Sequence, residues 1–156
     1  MAIAKRLRKH LERAGVPYDV IKHRPTVSAS RTAQVAHISG ELVAKAVVLQ
    51  DDDGYVLAAV PSTHRVELNA LGQTLDRPVS LATEGEISEL FDDCAVGAVP
   101  PIGTAYGLEI LLDESLTGLP DVYFEAGDHR SLVHMSGTDF AFLMVDAQRG
   151  TFSHHV

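Results

Sequence analysis

A single cysteine, Cys94, stands among the 156 residues. That excludes an internal disulfide framework and fits a reducing compartment. Long apolar runs are missing too. No stretch reaches the roughly 18 apolar residues of a membrane span, because Lys, Asp or Glu interrupts every one. The N-terminus is charged and amphipathic and lacks the apolar centre of a secretory signal, so a cytoplasmic protein is expected. Familiar catalytic sets are absent as well: the chain contains no Gly-x-Ser-x-Gly elbow, no phosphate-cradling P-loop and no His-Glu-x-x-His. Its eight histidines are scattered without zinc-ligand spacing, so neither a metal nor another cofactor is expected. Cys94 follows Asp92-Asp93, whose negative charge disfavours a thiolate, and it reads as a partly buried spectator.

The balance of charge is acidic, with a net charge of −8, which argues against general DNA binding. Its distribution is uneven. Residues 1–31 hold eight of the thirteen Lys and Arg against two acids, so this segment carries +6 and the remainder −14. Such asymmetry is what a local polyanion footprint on an acidic domain would look like, and an ordinary solvated helix face is the competing reading. Lys5, Lys9 and Arg13 are the candidate contacts for a nucleic acid.

What is present, first of all, is a lysine inside an apolar run, Leu42-Val43-Ala44-Lys45-Ala46-Val47-Val48-Leu49. Strand alternation puts Lys45 on the face of Val43, Val47 and Leu49. If that face is internal, an unpaired ammonium there costs several kcal/mol and calls for an anionic or strongly accepting partner. About fifty residues on, Cys94-Ala95-Val96-Gly97-Ala98-Val99-Pro100-Pro101-Ile102-Gly103 begins like a strand and stiffens into a loop. The two prolines fix their own φ, push their predecessors toward extended geometry and offer no N–H. Gly97 leaves backbone open to close approach. The segment reads as a rigid ledge, poor in side chains, whose backbone groups could face a ligand, with a conformationally locked crossover that meets no ligand as the competing reading.

The remaining pattern is of interleaved helices and strands. Helices are expected over 2–14, from Ser28 or Ser30 to about Ile38, over Glu67–Leu75, from the Thr83/Glu86 capping box to about Phe91, and near Phe140–Val145 behind a Ser136 cap. Strands are expected over Tyr18–Lys22, the lysine run, Tyr55–Val60 after an Asp51–Gly54 hairpin turn, Pro78–Ala82, Leu108–Leu112, Asp121–Glu125 and Ser131–Met135. With no repeat or linker, residues 1–156 read as one α+β domain, with a barrel-like mixed sheet surrounded by helices.

The ordered set of these segments resembles the YbaK / prolyl-tRNA synthetase-associated domain family of trans-editing aminoacyl-tRNA deacylases. The carriers are Val43-Ala44-Lys45-Ala46-Val47-Val48-Leu49, the Gly97-x-x-x-Pro101 loop, the turn Ala126-Gly127-Asp128-His129 and the following Leu132-Val133-His134-Met135-Ser136. His23-x-x-Thr26 with Ser28-Ala29 also fits a branch of the family. The resemblance implies a fold of that type and hydrolysis of the ester joining a wrong, small amino acid to a tRNA 3′-terminal adenosine, with tRNA-Pro a candidate carrier. It implies catalytic roles for Lys45, as anchor of the terminal nucleotide and phosphate, and for Gly97, whose backbone helps hold the aminoacyl group and the water. Substrate contacts are implied for His23, Thr26, Ser28 and Ala46, for Ala98, Pro100 and Pro101, and for Gly127, Asp128 and His129. No protein nucleophile and no cofactor are implied. The partners are misacylated tRNA and, as a candidate, a synthetase. Alanine-editing members carry Asn directly after the lysine, where this chain has Ala46, so the pocket is expected to be less polar. The alternative is a non-catalytic nucleic-acid-binding or synthetase-associated adaptor of the same fold.

Overall fold

Caps and turns set the element boundaries in the computed structural model, which describes residues 3–26 and 28–156. Leu7 and Leu11 recur at helical spacing and are fully buried, while Lys5, Lys9 and Arg13 stay in solvent, giving α1 (Lys5–Ala14). The start expected at residue 2 lies outside the described residues. Ser28, of the two serines considered, caps α2 (Ala29–Val35) by accepting the Arg31 N–H at 3.1 Å. Thr83 and Glu86 form the full capping box of α4 (Glu84–Leu90). Ser136 caps α5 (Gly137–Leu143), which starts three residues earlier than expected. The fifth helix is α3 (Leu68–Leu75).

The strands are β1 (Asp19–Lys22), β2 (Val43–Gln50), β3 (Tyr55–Pro61), β4 (His64–Val66), β5 (Ser80–Leu81), β6 (Glu109–Asp113), β7 (Asp121–Glu125), β8 (Ser131–Ser136), β9 (Gln148–Gly150) and β10 (Ser153–His155). Asp51 builds the β2–β3 turn, its Oδ1 accepting the Asp53 and Gly54 N–H groups at 2.8 and 2.9 Å. Among the described residues, eight strands form one mixed sheet in the order β1-β8-β7-β2-β3-β6-β9, with β5 pairing the far end of β2. β10 pairs with β4 in a separate ribbon.

The α+β class with a mixed sheet is as expected, but the barrel-like closure is not. Among the described residues β1 and β9 end the order and do not pair with each other. Both are short and carry exposed polar residues, Asp19 and Lys22 on one and Gln148 and Arg149 on the other, which is how open sheet edges are protected. The strand-like start expected at Cys94 is also corrected. Residues 94–98 make turns, because the Ala95 N–H is taken by the Gly127 carbonyl (2.7 Å) and the Ala98 N–H folds back onto the Ala95 carbonyl (3.1 Å).

Each face of the sheet packs its own core. Ala44, Val48, Leu57, Ala59, Leu112, Phe124 and Val133 face α1, α5 and the 91–108 segment. Leu49, Val56, Ala58, Val60 and Leu111 face Leu71 and Leu75 of α3 and Phe152. Lys45 pairs with Val60 and therefore lies on the second of these faces.

Candidate active site

The sheet parts beside Lys45. On that side of β2 the parallel register with β7 ends at Ala44↔Phe124, and the antiparallel register with β5 begins only at Leu49↔Leu81. The Val48 carbonyl accepts from Ala82 on this side (3.0 Å), whereas the Val43 carbonyl accepts from Ser62 on the β3 side (2.7 Å). Alternation along the strand therefore turns the N–H and C=O of Ala46 into the gap. A cavity of about 180 Å³ occupies it, lined by Ala29, Ala44, Lys45, Ala46, Val48, Ile87, Gly97, Val99 and Glu125. It reaches both faces of the sheet, with Lys45, Glu125 and Ala29 toward α2 and the remaining side chains toward the larger core.

Lys45 is half-buried, and among the described residues it forms no ion pair with a carboxylate. Burial first, and the nearby Arg65 second, lower its pKa from the usual lysine value. Glu125 is 4% exposed. Its Oε1 lies 2.7 Å from the Thr32 hydroxyl and 3.4 Å from His23 Nε2, and its Oε2 has no partner among the described residues. Burial raises the Glu125 pKa, against the opposing pull of Thr32 and His23. Thr26 hydrogen-bonds Thr32, and the Thr26 N–H donates to the His129 carbonyl at 3.3 Å.

The Gly97 loop is a tight turn over Ala95–Ala98 with Gly97 at φ +81°, the positive value that the third position of a type II turn demands. His129 Nε2 donates to the Val96 carbonyl and pins the loop from outside. The Asp128 carboxylate accepts the Arg130 N–H (2.9 Å) and the Ser131 hydroxyl (3.2 Å), closing the turn. Gly127, at φ +115°, lets this turn sit against α1. A Cβ there would stand 3.0 Å from that of Ala4 and 3.4 Å from Cys94 Sγ.

A larger depression, about 590 Å³, lies between Leu68 and Val79, but its cation, Arg77, is already held by Asp51. Among the described residues no group of three His, Cys, Asp or Glu is arranged to hold a metal ion, and no helix is long and apolar enough to cross a membrane. Cys94 does not line the cavity. Burial, with Asp93 and Asp92 adding to it, pushes its thiol up to about 12, far from a usable nucleophile.

The aminoacyl-tRNA editing domain family matches residues 23–143. The chain belongs to that family. A solved protein described as a candidate trans-editing enzyme for prolyl-tRNA synthetase is 28% identical, with a TM-score of 0.84 over 96% of each chain. A hypothetical protein at 20% identity superposes with a TM-score of 0.85 over 96% of this chain and 100% of its own. A scaffold used for grafting linear epitopes, 24% identical, gives 0.83 over 97% of each. These last two speak for the fold alone. No curated protein matches.

Within this editing domain the residues singled out from sequence fall into layers. Lys45, Ala46 and Gly97 share the cavity wall. Ala98 is fully buried in the core, and Pro100 and Pro101 are buried behind the loop, so the loop presents exposed Gly97 and half-buried Val99 to the cavity. His23, Thr26 and Ser28 do not line the cavity. They hold Glu125, Thr32 and the start of α2. Gly127, Asp128 and His129 brace the loop. Lys5, Lys9 and Arg13 lie in a row on the exposed face of α1, whose N-terminal end is tied to the closing turn by the Ala4 N–H to Ala126 carbonyl bond (2.8 Å). Sequence reasoning missed Glu125 and Thr32. For Glu125 a clue was available, a carboxylate ending an otherwise apolar strand.

Proposed function

We propose that this protein is a trans-editing deacylase that hydrolyses the aminoacyl ester of mischarged tRNA, with a small amino acid as the group removed and tRNA-Pro as the first carrier to test. The observation that carries the reading is the cavity itself: in a chain of the editing-domain family, a lysine without a carboxylate partner and a glycine-tipped loop share one small pocket whose other walls are apolar apart from Glu125.

Its chemistry follows from elementary electrostatics. A half-buried ammonium with no counter-ion is stabilised by a ligand phosphate, so Lys45 anchors the terminal nucleotide. Backbone groups of Ala46 and Gly97 lie on the wall where the ester carbonyl would sit. Each N–H aimed at the developing oxyanion contributes about 3 kcal/mol to the transition state. Water is the nucleophile, since the cavity wall has no Ser, Cys or Thr among the described residues. The walls formed by Ala29, Ala46, Ile87 and Val99 admit a small side chain. They separate neighbours differing by one methylene by only about 1–3 kcal/mol, so more than one small amino acid is accepted. The basic row on α1 contacts acceptor-stem phosphates, which position without selecting. A synthetase partner and a cytoplasmic location fit the same reading.

The test is ester half-life over a panel of mischarged tRNAs, with wild-type protein and Lys45→Ala. At least one small aminoacyl ester should decay faster with the wild type, and the variant should lose on the order of 100-fold or more of that acceleration. Unchanged half-lives across the panel would remove the enzyme reading. Full activity in the variant would remove the lysine's role.

A further inference from the structure

Glu125 is a buried carboxyl on the cavity wall that lacks donors. Two oxygens meet one hydroxyl, Thr32, whose single proton is also claimed by the Ser28 carbonyl at 2.9 Å. His23 does not make up the shortfall. Its Nδ1–H donates to the Arg24 carbonyl at 2.6 Å. Its Nε2 lies 3.4 Å from Oε1 and makes no hydrogen bond among the described residues. Oε2 is buried and has no hydrogen-bond partner among the described residues. A carboxyl kept out of water in this state is costly unless a ligand supplies a donor. Across the same cavity, Lys45 has the opposite need, for an acceptor.

We propose that Glu125 receives the α-ammonium of the aminoacyl ester, so that the pocket selects esters with a free amino group over N-blocked ones. The assignment rests on the deacylase reading for the identity of the ligand. It goes beyond it in naming a second pole of the site, which recognises the backbone end of the amino acid whatever its side chain. Thr32 is a positioning residue, holding Oε1 by its hydroxyl so that Oε2 is left for the ligand.

Calorimetry on the full chain tests this without relying on turnover. The probes are 3′-alanylamino-3′-deoxyadenosine 5′-phosphate, whose amide is not hydrolysed as an ester is, and its N-acetyl derivative. Wild-type protein should bind the free-amino probe on the order of 10- to 100-fold more tightly, and Glu125→Gln should bring the two close together. Raising the pH through the ionisation of the probe's amino group, near about 8, should weaken the free-amino probe alone, an arm that needs no variant. Equal affinities in the wild type, an undiminished ratio in Glu125→Gln, a pH-independent preference or no binding of either probe would each overturn the assignment. A clear preference with no mischarged tRNA hydrolysed would leave Glu125 in place and sink the hydrolase reading. Hydrolysis with indifferent probe binding would do the reverse.

Discussion

Lys45 and Glu125 stand level with each other one step beyond the last paired residues of β2 and β7, on one face of the sheet and one cavity, yet no ion pair joins them. Neither meets the other's need, so each keeps an unmet demand on the cavity wall. A ligand carrying both an acceptor and a donor satisfies both. On the proposed reading, these two side chains would make a site otherwise lined by Ala, Val, Ile and Gly selective.

The lysine should be a burden to the fold. Its lowered pKa, caused first by burial, shows that the charged form is disfavoured where it sits. Lys45→Met keeps the stem's packing and removes the ammonium. We expect a melting temperature equal to or above that of the wild type, together with loss of deacylation. A clear drop in melting temperature would mean that the ammonium has a stabilising partner.

Gly97→Ala should cost stability as well as activity. At φ +81° an alanine would occupy the left-handed region at about 1–2 kcal/mol, and it would add a methyl to a residue that lines the cavity. Urea denaturation measures the first effect and ester half-life the second. An unchanged midpoint would show that the turn relaxes.

Much of this was legible in the sequence where the cause is local. The Ser28 and Ser136 caps, the Thr83/Glu86 box and the Asp51 turn each bond within three residues, so spacing alone reveals them. The lysine strand was legible because an ammonium among β-branched residues stands out at any register. What escaped depends on register or on distant pairing. Glu125 became a site residue only when β7 lay beside β2, and Thr32 only when α2 covered that pair. β4 and β10 are three residues each and are strands only because they pair across the chain. Ala98 sits beside Gly97 in sequence, but the turn sends one into the core and the other to the cavity. The open sheet edge follows from the shortness of β1 and β9, which strand-by-strand patterning does not weigh.

His134 links β8 to both neighbours, with Nδ1 3.2 Å from Asp19 and Nε2 2.8 Å from Asp121, and its ring stacks on Tyr123. Burial alone would lower its pKa, but hydrogen bonds to Asp121 and Asp19 outweigh that and the net shift is upward. A raised native pKa means that the clasp stabilises fully below the unfolded value of about 6.5 and that its contribution fades as pH rises through the native value. The melting temperature of wild type minus His134→Gln should therefore be positive at pH 6 and shrink toward pH 9. On the order of 0.5 kcal/mol is expected for so exposed a group. A difference that grows with pH would reverse the assignment.

The basic row on α1 bears on how the proposed tRNA substrate would be held. Lys5, Lys9 and Arg13 recur every four residues on one exposed face, and the helix begins against the Gly127 turn that braces the site. A stem docked with its 3′ end in the cavity could place its phosphates along this face. Each phosphate contact contributes about 0.7–0.9 to the slope of log affinity against log salt. Reversing all three to glutamate should reduce that slope by at least about 2. It should weaken binding of cognate and non-cognate tRNA alike, since phosphate contacts carry no sequence information. Filter binding over a salt series measures both. Meanwhile hydrolysis of a short aminoacyl-oligonucleotide lacking the stem should be unchanged. An unaltered slope would show α1 to be solvated surface, and a lost oligonucleotide activity would show that the reversal had disturbed the turn beneath it.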